Sequence, residues 1–309
     1  MLRQALSQSN VTQLGLVERV FSSSITSVAC LVFLFINAVM MLTLRRKQVF
    51  WETSRYILLF HLLLADTLLM AFSQVLYLLH AYWIRLTYPQ CGVLVMLTIM
   101  TNDISPLVLV VMSLERYVAV CHPLRHASII TARNTGAAVL SVWIISLLHV
   151  VTLVLLLLRF PFDQLETLKM PKQCGIDRIL LLPVLYHCRT AFTGFLFTLA
   201  CLLIVCTYIG VVVVARSASR SQRDKESARK AQKTLLLHLL QLGLILLSCN
   251  HFAVLGFFYS VFPRMIFLRI QAFLYVCFFF LPRCMASLIY GLRDRSIRVA
   301  LTSNLLCQD

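Results

Sequence analysis

The residues of this chain that could do chemistry are few and unusually placed. Asp66, Asp103 and Arg283 each stand within long runs of Leu, Val, Ile and Phe, where little water would solvate a charge. A charged side chain at the centre of a bilayer costs roughly 2.5–3.5 kcal/mol on an insertion scale, so each needs a partner or a task. Opposite charge makes Asp66 and Arg283 a candidate pair. Asp103 has His149 as a candidate partner, either as part of a ligand pocket or as a hydrogen bond joining two helices. Glu115 and Arg116 are neighbours, and a bent Arg side chain can reach back to an adjacent carboxylate. None of these constellations is a catalyst. The chain has no His-Glu-x-x-His, no Gly-x-Ser-x-Gly and no His/Cys cluster at metal-ligand spacing. An enzyme is therefore not expected, and neither is a metal or a cofactor.

The elements that must carry these residues follow from composition. Of 309 residues, 60% are hydrophobic and 13% charged, with a mean hydropathy of +0.86. A soluble chain carries about a quarter charged residues. Seven stretches are nearly free of charge, bounded by Arg19 and Arg45, Arg55 and Arg85, Arg85 and Glu115, Arg133 and Arg159, Arg189 and Arg216, Lys233 and Arg264, and finally Met265 and Tyr290. Each exceeds the roughly 20 residues that a helix needs to cross hydrocarbon. No alternating segments of about ten residues signal a barrel. The reading is an all-α, multi-pass membrane protein, a single seven-transmembrane helix bundle over 1–309.

Orientation follows from Lys and Arg. The connections on the side of the C-terminus hold 17 basic residues against 10 on the side of the N-terminus. Basic residues are retained in the cytosol, so the N-terminus (1–22) is expected outside, with a basic loop at 216–233 and a tail at 293–309 inside. The sequon Asn10-Val11-Thr12 agrees, since glycosylation occurs on the lumenal face. The formal net charge of +16 needs no nucleic acid, because the basic 216–233 loop is suited to anionic lipid and to a cytosolic partner. Of 11 cysteines, most lie in apolar spans. Cys91 and Cys174 stand on the outer side, where a disulfide is allowed and would pin the long fourth connection over the bundle mouth. Cys188 is a rival partner that spacing does not exclude.

At the inner end of the third span stands Met112-Ser113-Leu114-Glu115-Arg116-Tyr117-Val118-Ala119-Val120-Cys121-His122-Pro123-Leu124. This resembles the Asp/Glu-Arg-Tyr motif of class A (rhodopsin-like) G-protein-coupled receptors, in the extended form of odorant receptors. Asn37 in the first span, Leu62-Leu63-Leu64-Ala65-Asp66 in the second and Trp143 in the fourth fall where that family has its marks. So do Cys91, 25 residues before Arg116, and Thr207-Tyr208 at the end of the fifth span. Lys230-Ala231-Gln232-Lys233-Thr234-Leu235-Leu236-Leu237-His238-Leu239 resembles the family's opening of the sixth helix, and Tyr290-Gly291-Leu292-Arg293-Asp294 its close of the seventh. The Leu-Glu-Arg-Tyr form and Leu281-Pro282-Arg283-Cys284 resemble fish-type odorant receptors.

The resemblance implies an odorant or chemosensory receptor. An extracellular small molecule, odorant or pheromone-like, would bind within the bundle and activate a heterotrimeric G protein, with a stimulatory olfactory Gα and cyclic AMP as the expected output. It assigns the ligand site to Thr98, Ile99, Asn102, Asp103, Phe192, Thr193, Leu196, Cys249, Asn250, Ala253, Tyr275 and Phe279. Coupling falls to Glu115, Arg116, Tyr117, Tyr208, His238 and Tyr290. It makes Cys91–Cys174 the disulfide, and places Asn37, Asp66, Ser105 and Arg283 in an intramembrane polar network. The departures are informative. Thr98 stands where amine receptors carry an Asp. Ala286-Ser287-Leu288-Ile289-Tyr290 replaces Asn-Pro-x-x-Tyr, Ala200 and Ser248 replace common prolines, and Leu246 replaces the usual toggle Trp. Relatives hold sodium beside the equivalent of Asp66, whereas here Arg283 enters as a counter-ion. Two other readings are a class A receptor for a pheromone- or hormone-like ligand outside olfaction and, more distantly, a transporter. A transporter would call for inverted repeats or a polar stripe through the bundle, and two acids with one Arg are too few.

Overall fold

The computed structural model describes residues 2–46, 48–159, 169–170, 173–179, 183–217, 251–285 and 297–300, with shorter pieces between 229 and 248 and residue 289. The described residues are helical apart from short turns, loop segments and one isolated β-bridge. In chain order they form α1 (Leu2–Arg46), α2 (Gln48–Glu52), α3 (Ser54–Ala81), α4 (Tyr88–Cys121), α5 (Pro123–Ile129), α6 (Ala132–Leu157), α7 (Ile176–Ile179), α8 (Pro183–Ser217), α9 (His251–Val261) and α10 (Arg264–Tyr275). A π-helical turn, Val276–Phe280, follows α10 directly, and helix continues to residue 285. Among the described residues, five helices are long and apolar enough to cross a membrane: Val17–Arg46 of α1, α3, α4, α6 and Pro183–Val214 of α8. The first five expected spans therefore coincide with described helices. Of the sixth, residues 234, 238, 241–242, 246–247 and 249–250 lie outside the described residues and its later part is α9; of the seventh, α10, the π-turn, residues 281–285 and residue 289 are described.

Local chemistry sets where the helices begin and end. Thr87 caps α4 through a capping box, its hydroxyl accepting from the Gln90 amide while the Gln90 side chain accepts from the Thr87 amide, with Pro89 in the first turn. Thr131 caps α6 by accepting from the Asn134 amide at 3.2 Å. The end of α3 is closed by Trp83 at φ 59°. There the Trp83 and Ile84 amides donate to the His80 and Leu79 carbonyls, a Schellman closure usually reserved for Gly. The Arg19 guanidinium lies 5.8 Å from the Trp83 ring centroid, so α1 steadies this unfavourable turn.

The burial pattern shows which helix is central. In α6 the buried residues are Thr135, Val139, Val142, Ser146, His149 and Leu153, a single stripe three and four apart, while Leu140, Leu147, Leu148 and Leu155 are exposed. Along α8 the stripe is Leu196, Ala200, Ile204, Thr207 and Val211. In α4, by contrast, Asp103 to Pro106 and Val108 to Val110 are buried consecutively, so this helix has core on every side. It packs against α3, α6, α7 and α8. Its interior proline, Pro106, has no N–H to offer the carbonyl of Asn102.

One end of the bundle is closed by the connection between α6 and α8. Cys91 and Cys174 are joined in a disulfide, both buried. The Met170 amide donates to the Leu86 carbonyl at 3.0 Å, and Thr87 and Lys169 form an isolated antiparallel bridge. Met170, Cys174 and Ile179 are buried with Tyr88, Cys91, Val95, Met96 and Ile99 of α4. The rival thiol, Cys188, is unbridged and half-buried against the same cluster.

Candidate functional site

Three groups of polar residues lie along α4, and the helix spacing explains their separation. At the end away from the disulfide, Glu115 Oε2 sits 3.1 Å from Arg116 Nε, the carboxylate largely buried. Neighbouring positions on a helix diverge by about 100°, so Arg116 must fold back to make this contact. Tyr117 packs nearby with Tyr208 against Val211 and Leu235. Its ring also sets the distance to α8, because a Cβ on Gly210 would come within 2.5 Å of Tyr117 Cε2.

The middle of the bundle holds the deepest charges. Arg283 has no exposed surface and is the largest fully buried side chain described. Its Nη1 donates to Asp66 Oδ1 at 3.2 Å and its Nη2 to Asn102 Oδ1 at 2.7 Å. Ser105 Oγ donates to the same Asp66 oxygen at 2.7 Å. The cluster thus draws Asp66 from α3, Asn102 and Ser105 from α4, and Arg283 from the helix beyond the π-turn. The carboxylate and the guanidinium neutralise each other where neither could persist alone. Asn37 donates to Thr67 Oγ1 at 3.2 Å, tying α1 to the residue next to Asp66.

One residue further along α4, Asp103 turns toward α6. His149 Nδ1 and Asp103 Oδ2 lie 2.6 Å apart, each side chain 2% exposed. The Phe192 ring of α8 stacks on the His149 ring, centroids 3.8 Å apart and 19° from parallel. Asn102 and Asp103 therefore face different ways, one to the helix beyond the π-turn and one to α6 and α8.

The remaining expected ligand residues are spread around this level. Thr98 is buried and donates to its own helix at Leu94, and Ile99 belongs to the cluster beneath the disulfide loop. Leu196 is core and Thr193 half-buried. Tyr275 is stacked between Tyr77 and Phe279, centroids 5.1 Å to each. Ala253 lies in α9, its side chain outside what the structure describes, while Cys249, Asn250, His238 and Tyr290 fall outside the described residues altogether. Asn10 lies within α1. The sequence assigned Asn102 to the ligand site, and the structure places its amide oxygen on Arg283. An uncharged amide in an apolar run carries no sign of which neighbour it will meet. Among the described residues no group of His, Cys, Asp and Glu is arranged to hold a metal ion.

Comparison with known proteins matches the arrangement. Residues 36–290 match the model of the 7 transmembrane receptor (rhodopsin family). "Odorant receptor 131-2" of Danio rerio is 31% identical over 89% of this chain and 83% of its own length. "Olfactory receptor 4N4" of Homo sapiens is 26% identical over 43% of this chain and 44% of its own. "Olfactory receptor 2A7" of Mus musculus is 46% identical over 18% of each. The chain belongs to the rhodopsin family of G-protein-coupled receptors, and within it to the odorant receptors. It is accordingly a multi-pass plasma-membrane protein and a non-enzymatic receptor.

Proposed function

We propose that this protein is a chemosensory receptor of seven spans, with the N-terminus outside, which binds an extracellular small molecule within the half of the bundle nearest the disulfide. Binding shifts the helix equilibrium toward a state whose cytosolic face promotes nucleotide exchange on a heterotrimeric G protein. The pocket is assigned to the level of Thr98, Asn102, Asp103, Phe192 and Tyr275, where polar groups interrupt apolar walls. The observation that carries the reading is the Arg116–Glu115 contact of 3.1 Å at the opposite end of the same helix. Held there, Arg116 is occupied by its neighbour; released, it can meet Tyr208, Tyr290 and a Gα C-terminal helix. The similarity to an odorant receptor over 89% of the chain supports an odorant as the ligand and a stimulatory olfactory Gα as the partner.

The test is a cyclic-AMP assay in cells co-expressing that Gα, screened with amino acids, bile acids, amines and small volatiles. A concentration-dependent response is expected, abolished by Arg116→Ala with surface expression intact. A response that survives in Arg116→Ala would overturn the coupling role assigned to this residue.

A further inference from the structure

We infer that the Asp66–Asn102–Ser105 cluster is a cation cage permanently filled by the chain's own guanidinium, so that solution sodium neither occupies it nor stabilises the protein. The inference concerns the bundle interior and does not depend on which ligand or G protein the receptor uses.

Three observations carry it. The first is convergence. Asp66 Oδ1 and Asn102 Oδ1, from two different helices, accept from the two terminal nitrogens of Arg283 at 3.2 and 2.7 Å, and Ser105 Oγ braces Asp66 at 2.7 Å. These are the hard oxygen donors that a small monovalent cation would also seek. The second is charge. Asp66 is the one acid in the cluster, and Asp103, the next along α4, is engaged by His149 at 2.6 Å. With Arg283 in place the cluster sums to zero. A sodium ion added to it would bring an uncompensated charge into a site 0–2% exposed. The third is backbone shape. The π-turn Val276–Phe280 ends three residues before Arg283, and Pro106 lies within α4 beside Ser105 and four residues after Asn102. Both features flank the cage: the wider π-turn changes the direction in which the following residues, Arg283 among them, leave the helix, and Pro106 has no N–H to donate within α4.

It follows that vacating the cage exposes the donor set to a substitute. In Arg283→Ala the carboxylate of Asp66, the amide oxygen of Asn102 and the hydroxyl of Ser105 surround a hole of net charge −1, which a sodium ion fits in charge and donor type. The experiment measures the thermal unfolding midpoint of purified receptor in sodium chloride and in N-methylglucamine chloride at equal ionic strength. Wild type is expected to unfold at the same temperature in both. Arg283→Ala is expected to unfold lower, and to recover about 2–4 °C in sodium but not in N-methylglucamine. Adding Asp66→Asn to that variant should remove the sodium recovery. Should Arg283→Ala fail to accumulate at the cell surface, the double variant Asp66→Asn/Arg283→Met, which removes both buried charges, is expected to restore it. A wild-type midpoint that rises with sodium overturns the inference. So does an Arg283→Ala variant that folds without responding to sodium, or a double variant that restores nothing.

Discussion

His149 and Asp103 illustrate what a single buried polar pair asks of this bundle. At 2% exposure each needs the other, since a buried donor or acceptor left alone costs about 1–3 kcal/mol and an unpaired buried charge more. Asp103→Leu should therefore lower stability by about 1–3 kcal/mol through the stranded imidazole. His149→Phe should cost at least as much through the stranded acid. The double variant, apolar at both positions, should lie within about 1 kcal/mol of wild type if the pair only joins α4 to α6. Thermal midpoints of the four proteins decide this, and ligand response in the double variant separates a joint from a pocket group. This pair, like Asp66 with Arg283, could be anticipated from the sequence, because a charge in an apolar run must be answered. Asn102 could not, because its amide creates no comparable demand and its direction depends on the neighbouring helix.

At the scale of elements, the approach of α8 to α4 depends on what is missing from Gly210. A Cβ there would stand 2.5 Å from Tyr117 Cε2. Gly210→Val should overpack this contact and cost about 1–3 kcal/mol, and Tyr117→Ala in the same chain should recover part of the loss. A cycle in which the two effects simply add would show that the ring moves aside freely. The closure of the loop end makes a second element-level prediction. Cys91 and Cys174 are 83 residues apart, and such a crosslink contributes about 2–4 kcal/mol. Cys91→Ser and Cys174→Ser should each lower the midpoint equally, with the double variant no worse, whereas Cys188→Ser should leave it unchanged. The sequence left Cys174 and Cys188 as rivals for a physical reason: Cys188 packs against the same apolar cluster, so both lie in the right part of the molecule. The π-turn had no forewarning at all. Val276 to Phe280 is an apolar run like many others here, and its wider turn lies where Tyr275, Phe279 and Phe280 are buried in one cluster.

At the scale of the whole molecule, the span boundaries were legible because hydrocarbon admits no compromise: a helix crosses it or stays out. The first five charge-poor stretches coincide with helices. Orientation rests on the uneven distribution of Lys and Arg, and it has a direct check. Peptide N-glycosidase should shift the wild-type band, Asn10→Gln should already run at the shifted position, and a C-terminal tag should bind antibody only after permeabilisation. A tag accessible in intact cells would reverse the assignment.

The burial of α4 on every side has a consequence for how this receptor can vary. A helix with one core-facing stripe accepts nearly any apolar residue on the faces turned to lipid, so α6 can drift in sequence while keeping Thr135, Val139, Val142, Ser146, His149 and Leu153. No such freedom exists between Asp103 and Val110, where almost every side chain touches protein. A saturation scan scored by surface expression should show periodic tolerance along α6 and an unbroken intolerant block in α4. Variation is thereby pushed to the lipid-turned faces of helices such as α6, and the stretch from Asp103 to Val110 is left with little room to change.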